Sequence, residues 1–96
     1  MLEFLKNYNI SDNVIKKVEK ENSSANIYNL NCNLEEASLI IEYFNELGLT
    51  CIDNLLIYRI DIFFKSLDEI KKMFSKYETN SLVQALNNDY NIINEI

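Results

Sequence analysis

Asn33-Leu34-Glu35-Glu36 and Ser66-Leu67-Asp68-Glu69 lie 33 residues apart and share one pattern, a capping side chain followed by leucine and two acids. Each follows a short apolar stretch, Ile27-Tyr28-Asn29-Leu30 in the first case and Ile60-Asp61-Ile62-Phe63 in the second. A fainter copy follows 30 residues on, with Ala85-Leu86 and Tyr90-Asn91-Ile92-Ile93 aligned to Leu55-Leu56 and Ile60-Asp61-Ile62-Phe63. Recurrence at this period is the mark of stacked helical units. The expected fold is all-α, with about five to six short helices stacked as two to three repeat units in a single domain over residues 1–96.

Punctuation and composition agree with that expectation. The chain has one Gly, no Pro and an apolar fraction of 48%. A sheet-rich protein needs more turn residues, and a disordered one has less apolar surface to bury. Ser11 is placed to cap a helix over Asp12 to Glu21 whose inner face is Val14, Ile15 and Val18. Leu2 to Tyr8 reads as a helical segment ended by Asn9. Ala25 to Cys32 reads as a short helical turn, with a brief strand as the alternative. Asn33 is expected to cap a helix running to Leu47, with Glu36 reaching back to the cap. That helix is apolar nearly all round and should be the most buried, and Gly48 should end it. Thr50 is expected to cap the next helix. Ser66 and Glu69 form a capping box for a helix to Tyr77, with Tyr77 inward. Thr79, Asn80 and Ser81 are competent caps for a final helix from Leu82 to Asn88.

The stretch from Leu47-Gly48-Leu49-Thr50 through Leu55-Leu56-Ile57-Tyr58-Arg59-Ile60-Asp61-Ile62-Phe63-Phe64-Lys65-Ser66-Leu67-Asp68-Glu69-Ile70 resembles one repeat of the mitochondrial transcription termination factor (mTERF) family. Ser11 to Glu36 and Ser81 to Ile96 look like a decayed and a partial copy. The resemblance implies a superhelical array, and in the family such arrays bind nucleic acid along a basic concave surface. Here Asp61 stands where the family's kink proline is expected, at most two and a half units are present, and the net charge is −6. The resemblance therefore carries over architecture, and no binding residue with it.

Charge narrows the partners. The first 48 residues carry four lysines against eight acids, and the last 48 carry five basic residues against seven acids. Neither half supplies the cationic field on which non-specific nucleic-acid binding rests, nor one that suits anionic membranes. With no long apolar run, the chain reads as soluble and cytoplasmic. Its Asn-, Ile- and Lys-rich composition is what AT-rich codons produce, as in a low-GC bacterium or its phages and mobile elements.

The search for chemistry yields little. There is no His, and a single Gly cannot build a phosphate loop. Cys32 and Cys51 have no activating imidazole, match no zinc spacing and read as reduced, small apolar residues. The acidic pairs Glu35-Glu36 and Asp68-Glu69 read as first-turn complements of helix dipoles, and together with Glu42 they offer at most an acidic contact. Lys71, Lys72 and Lys76, with Lys65 and Arg59, read as a solvated helix face. No catalytic residue, cofactor or metal is expected. The expected function is a small, acidic, non-enzymatic protein–protein interaction module. Its candidate contacts are Tyr58, Phe63 and Phe64, of which at most two can face inward, and Tyr90 and Ile93 on an apolar terminal edge. A foreign protein or a second copy of the chain would serve as partner. The alternatives are an inhibitor from a phage or mobile element that blocks a CRISPR or restriction nuclease by binding or by nucleic-acid mimicry, and mTERF-like nucleic-acid binding.

Overall fold

Every described element is helical. The computed structural model describes residues 2–96 and contains no strand among them. A 3-10 segment, Glu3–Tyr8, leads into α1 (Asp12–Glu21), α2 (Ser24–Cys32) and α3 (Leu34–Leu47). Then come α4 (Ile52–Tyr58), a second 3-10 segment (Ile60–Phe64) and α5 (Leu67–Phe74). The chain closes with α6 (Thr79–Asn88) and a third 3-10 segment, Tyr90–Glu95. The strand alternative for Ala25 to Cys32 is thereby excluded. Among the described residues no helix is long and apolar enough to cross a membrane.

Several boundaries follow from local chemistry. Ser11 and Ser23 sit in extended backbone, and their hydroxyls accept from the Val14 and Asn26 amides. Ser66 and Glu69 form the expected reciprocal capping box. Gly48 ends α3 at φ 88°, with the Leu49 amide donating back to the Phe44 carbonyl. A Cβ on Gly48 would meet nothing within 4 Å, so the left-handed backbone and not crowding demands glycine there.

Other caps differ from expectation. Asn33 is the only residue between α2 and α3, and its ψ of 27° is not the extended conformation a capping side chain needs. Its amide reaches across the molecule instead and donates to the carbonyls of Phe63 (2.9 Å) and Lys65 (3.0 Å). Glu36 likewise reaches outward and accepts from the Leu67 amide at 2.8 Å. Thr50 does not cap α4, which starts after Cys51, and the Thr50 amide donates to Asn87. Glu78 takes the role expected of Thr79, Asn80 or Ser81, accepting from the Asn80 and Ser81 amides. Helix α5 stops at Phe74, so Tyr77 falls outside it and is 41% exposed rather than inward.

One continuous apolar core runs the length of the molecule. Helix α1 packs on α4, α2 on the second 3-10 segment, and α3 on α5. Phe44 is the hub, stacked on Phe74 at 5.6 Å and edge-on to Phe63 at 5.9 Å. Helix α3 buries only Ala37, Ile40, Ile41 and Phe44, while Leu34 and Leu39 face solvent. Burial all round that helix is thus corrected to burial on one side. The Cα radius of gyration, 12.6 Å, matches the roughly 13 Å of a compact chain near 100 residues.

Removing the Asn33 amide by Asn33→Ala strips two carbonyls of their donor and is expected to cost about 1–3 kcal/mol of stability in urea unfolding. The exposed control Asn13→Ala should stay within about 0.5 kcal/mol of the parent. Equal effects from the two substitutions would contradict the assignment.

Candidate functional site

Tyr58 is the last residue of α4 and Tyr90 the first of the third 3-10 segment. Their rings meet at 5.9 Å with an interplanar angle of 17°, an offset stack. Tyr58 is 53% exposed and Tyr90 half-buried against the core. Each end of this stack is fixed locally. The Arg59 amide bonds to Leu55 at the end of α4, and Asp89 caps the turn that carries Tyr90 by accepting from the Asn91 amide. The result is a flat aromatic surface spanning two segments far apart in sequence.

The remaining sequence candidates are distributed differently. Phe63 and Ile93 are buried in the core, Phe63 against Phe44. Phe64 is half-buried and packs on the core edge. Among the acids, Glu36 is occupied by the Leu67 amide and Glu69 by Ser66, while Glu35, Glu42 and Asp68 face solvent. Among the described residues no three His, Cys, Asp or Glu side chains converge as a metal site.

The basic cluster divides in two. Arg59 is held by Asp61 through two bonds of 3.1 Å each. The guanidinium keeps the Asp61 carboxyl below the usual carboxylate range, with partial burial opposing it. Lys71 lies over the Tyr43 ring at 5.6 Å. Lys65, Lys72 and Lys76 line an open groove of about 340 Å³ with Met73 and Glu69.

Sequence reasoning missed four exposed groups, Tyr28, Leu34, Leu39 and Tyr77. For Leu39 a signal existed: Glu35, Glu42 and Glu46 surround it at helical spacing and mark a solvent face. A shallow apolar groove, lined by Tyr77, Leu82, Ala85, Ile92 and Ile96, was foreshadowed by the apolar tail alone. The Tyr77 hydroxyl donates to the Glu95 carbonyl at 3.3 Å and ties its two walls together. Both cysteines are free, and Cys32 lies at the surface rather than inside. Burial pushes the Cys51 thiol up, away from the thiolate a nucleophile needs.

The two aromatic candidates that differ most in setting should separate cleanly in denaturation experiments. Phe63→Ala is expected to cost about 3–5 kcal/mol, the usual toll for emptying an aromatic site in a core. Tyr58→Ala should cost only about 0.5–1.5 kcal/mol, the worth of an aromatic pair at a surface. Similar losses at both positions would refute the division into core and surface.

No protein-family model, curated protein or solved structure matches this chain.

Proposed function

We propose that this chain is a non-enzymatic protein-interaction module that presents the stacked Tyr58–Tyr90 surface to a protein partner. One observation carries the reading: two tyrosines, brought together from residues 32 apart, leave ring surface open to solvent where a core would have covered it. Tyrosine offers a large, stiff contact area with a polar tip, which is why it concentrates in binding hot spots. The rest of the molecule acts as a rigid mount for that surface.

The same reading takes the architecture as repeated units. The pairing of α1 with α4, of α2 with the second 3-10 segment and of α3 with α5 supports it, because each element packs on the one that holds the same place in the following unit. The side-chain bonds support it too. Asn22 reaches Ile57, Asn33 reaches Phe63 and Lys65, Glu36 reaches Leu67, and Asn87 clamps Gly48 and Thr50. The mTERF resemblance enters as architecture only, since a chain of net charge −6 supplies no broad cationic field for a phosphate backbone.

A photo-crosslinking residue at position 58 tests the proposal in lysate of the native host, against the same residue at exposed position 17. The expected result is a discrete adduct at 58, absent at 17, competed by unlabelled chain and reduced about tenfold by Tyr90→Ala. Matching patterns from the two positions would refute it.

A further inference from the structure

Tyr43 on α3, Lys71 and Phe74 on α5, Ser75 just beyond it, and Thr79 and Leu82 on α6 line one small cleft of about 180 Å³. Tyr43 meets Phe74 at 6.0 Å and so joins α3 to α5. Phe74 and Leu82 are buried and give the cleft its apolar surface. The Lys71 ammonium lies over the Tyr43 ring at 5.6 Å. Among the described residues it forms no ion pair, although Lys6 and Arg59 do. The Ser75 hydroxyl donates to the Lys72 carbonyl at 2.7 Å, whereas the Tyr43 and Thr79 hydroxyls have no hydrogen-bond partner among the described residues. Burial raises the pKa of the Tyr43 hydroxyl and keeps it a donor.

One cation and two hydroxyl donors without protein acceptors thus line a cleft whose other surface is apolar, the make-up of a small-ligand site. No carboxylate lines it. The groove of Lys65, Lys72 and Lys76 differs in holding Glu69, and the groove at Tyr77 in holding Glu78 and Glu95. Glu78 stands next to Thr79 in sequence, but its carboxylate is taken up by the Asn80 and Ser81 amides. Glu42 and Glu46 neighbour Tyr43 on α3 without lining the cleft. We infer that this cleft binds a small organic monocarboxylate, its charged head on Lys71, Tyr43 and Thr79 and its apolar body on Phe74 and Leu82. One ammonium balances one negative charge, and hydrogen bonds to an ionised acceptor are the strong kind. At roughly 30 Å³ per water, the cleft of about 180 Å³ equals about six waters, which suits a short branched acid and excludes a folded protein segment. The cleft shares no residue with the Tyr58–Tyr90 surface, so either site can fail while the other stands.

Proton–nitrogen NMR spectra of the full chain, titrated with 3-methylbutanoate to about 20 mM at constant ionic strength, provide the test. Saturable shifts are expected at the Tyr43, Lys71, Ser75, Thr79 and Leu82 amides, with half-saturation on the order of 1 mM. The neutral 3-methylbutanamide, which lacks the charge, and acetate, which lacks the apolar body, should each bind at least tenfold more weakly. Lys71→Gln should weaken 3-methylbutanoate binding at least tenfold, and Tyr43→Phe, which keeps the ring, about tenfold. Both variants should retain the parent's helical circular dichroism, and Lys65→Gln should bind as the parent does. A parent that shows no saturable shift, shifts centred on other residues, equal binding of the amide or of acetate, or undiminished binding by Lys71→Gln would each overturn the inference.

Discussion

A set of side-chain amides and one carboxylate, each bonded to backbone far away in sequence, holds this fold in register. Asn33 donates to two carbonyls at the end of the second 3-10 segment, and Glu36, one helical turn on, accepts from the first amide of α5. Asn22 does the same between the ends of α1 and α4. Asn87 closes the turn around Gly48 by donating to its carbonyl and accepting from Thr50. Helix ends carry backbone groups with no intrahelical partner, and short helices have proportionally more of them. Isolated helices of this length are marginal in water. A chain made of such pieces needs its ends satisfied by neighbours, and these residues do so at the points where helices meet.

Packing then supplies the bulk of the stability. Phe44 links α3 to Phe63 and Phe74, and Leu55, Leu56, Ile62 and Ile70 are buried in the same core. The apolar core gives no direction by itself, because leucine and isoleucine contacts tolerate sliding. Hydrogen bonds to particular carbonyls do not. The division of labour explains why so many of the polar side chains at the junctions are asparagine: its amide can donate to two acceptors at once, as Asn22 and Asn33 do. No buried side-chain nitrogen or oxygen among the described residues lacks a partner.

Helix content and the core faces of α1 and α5 were legible because their apolar residues recur at three and four and their caps are serines in extended backbone. The long-range bonds were not. Asn33 and Glu36 have the sequence signature of a local capping box, and only the direct passage from α2 to α3 shows why the local bond cannot form. The outward setting of Leu39 was legible from the acids around it at helical spacing, whereas that of Tyr77 depended on α5 ending at Phe74, which periodicity does not encode. Of the surface candidates, Tyr58 was legible as one of three clustered aromatic residues of which at most two could face inward, and Tyr90 as part of an apolar terminal edge. Their mutual stacking depends on the third 3-10 segment packing on α6 so that Tyr90 reaches the end of α4, and Phe63 and Ile93 are buried in the core.

The claim that distant side chains pin the helix junctions is tested most directly by amide hydrogen exchange at Leu67. As the first residue of α5 it has no intrahelical acceptor, so its amide should exchange quickly unless Glu36 holds it. The account predicts slow exchange at Leu67 in the parent and fast exchange in Glu36→Ala, with the Ile70 amide protected in both. Rapid exchange at Leu67 in the parent, or protection that survives Glu36→Ala, would contradict it.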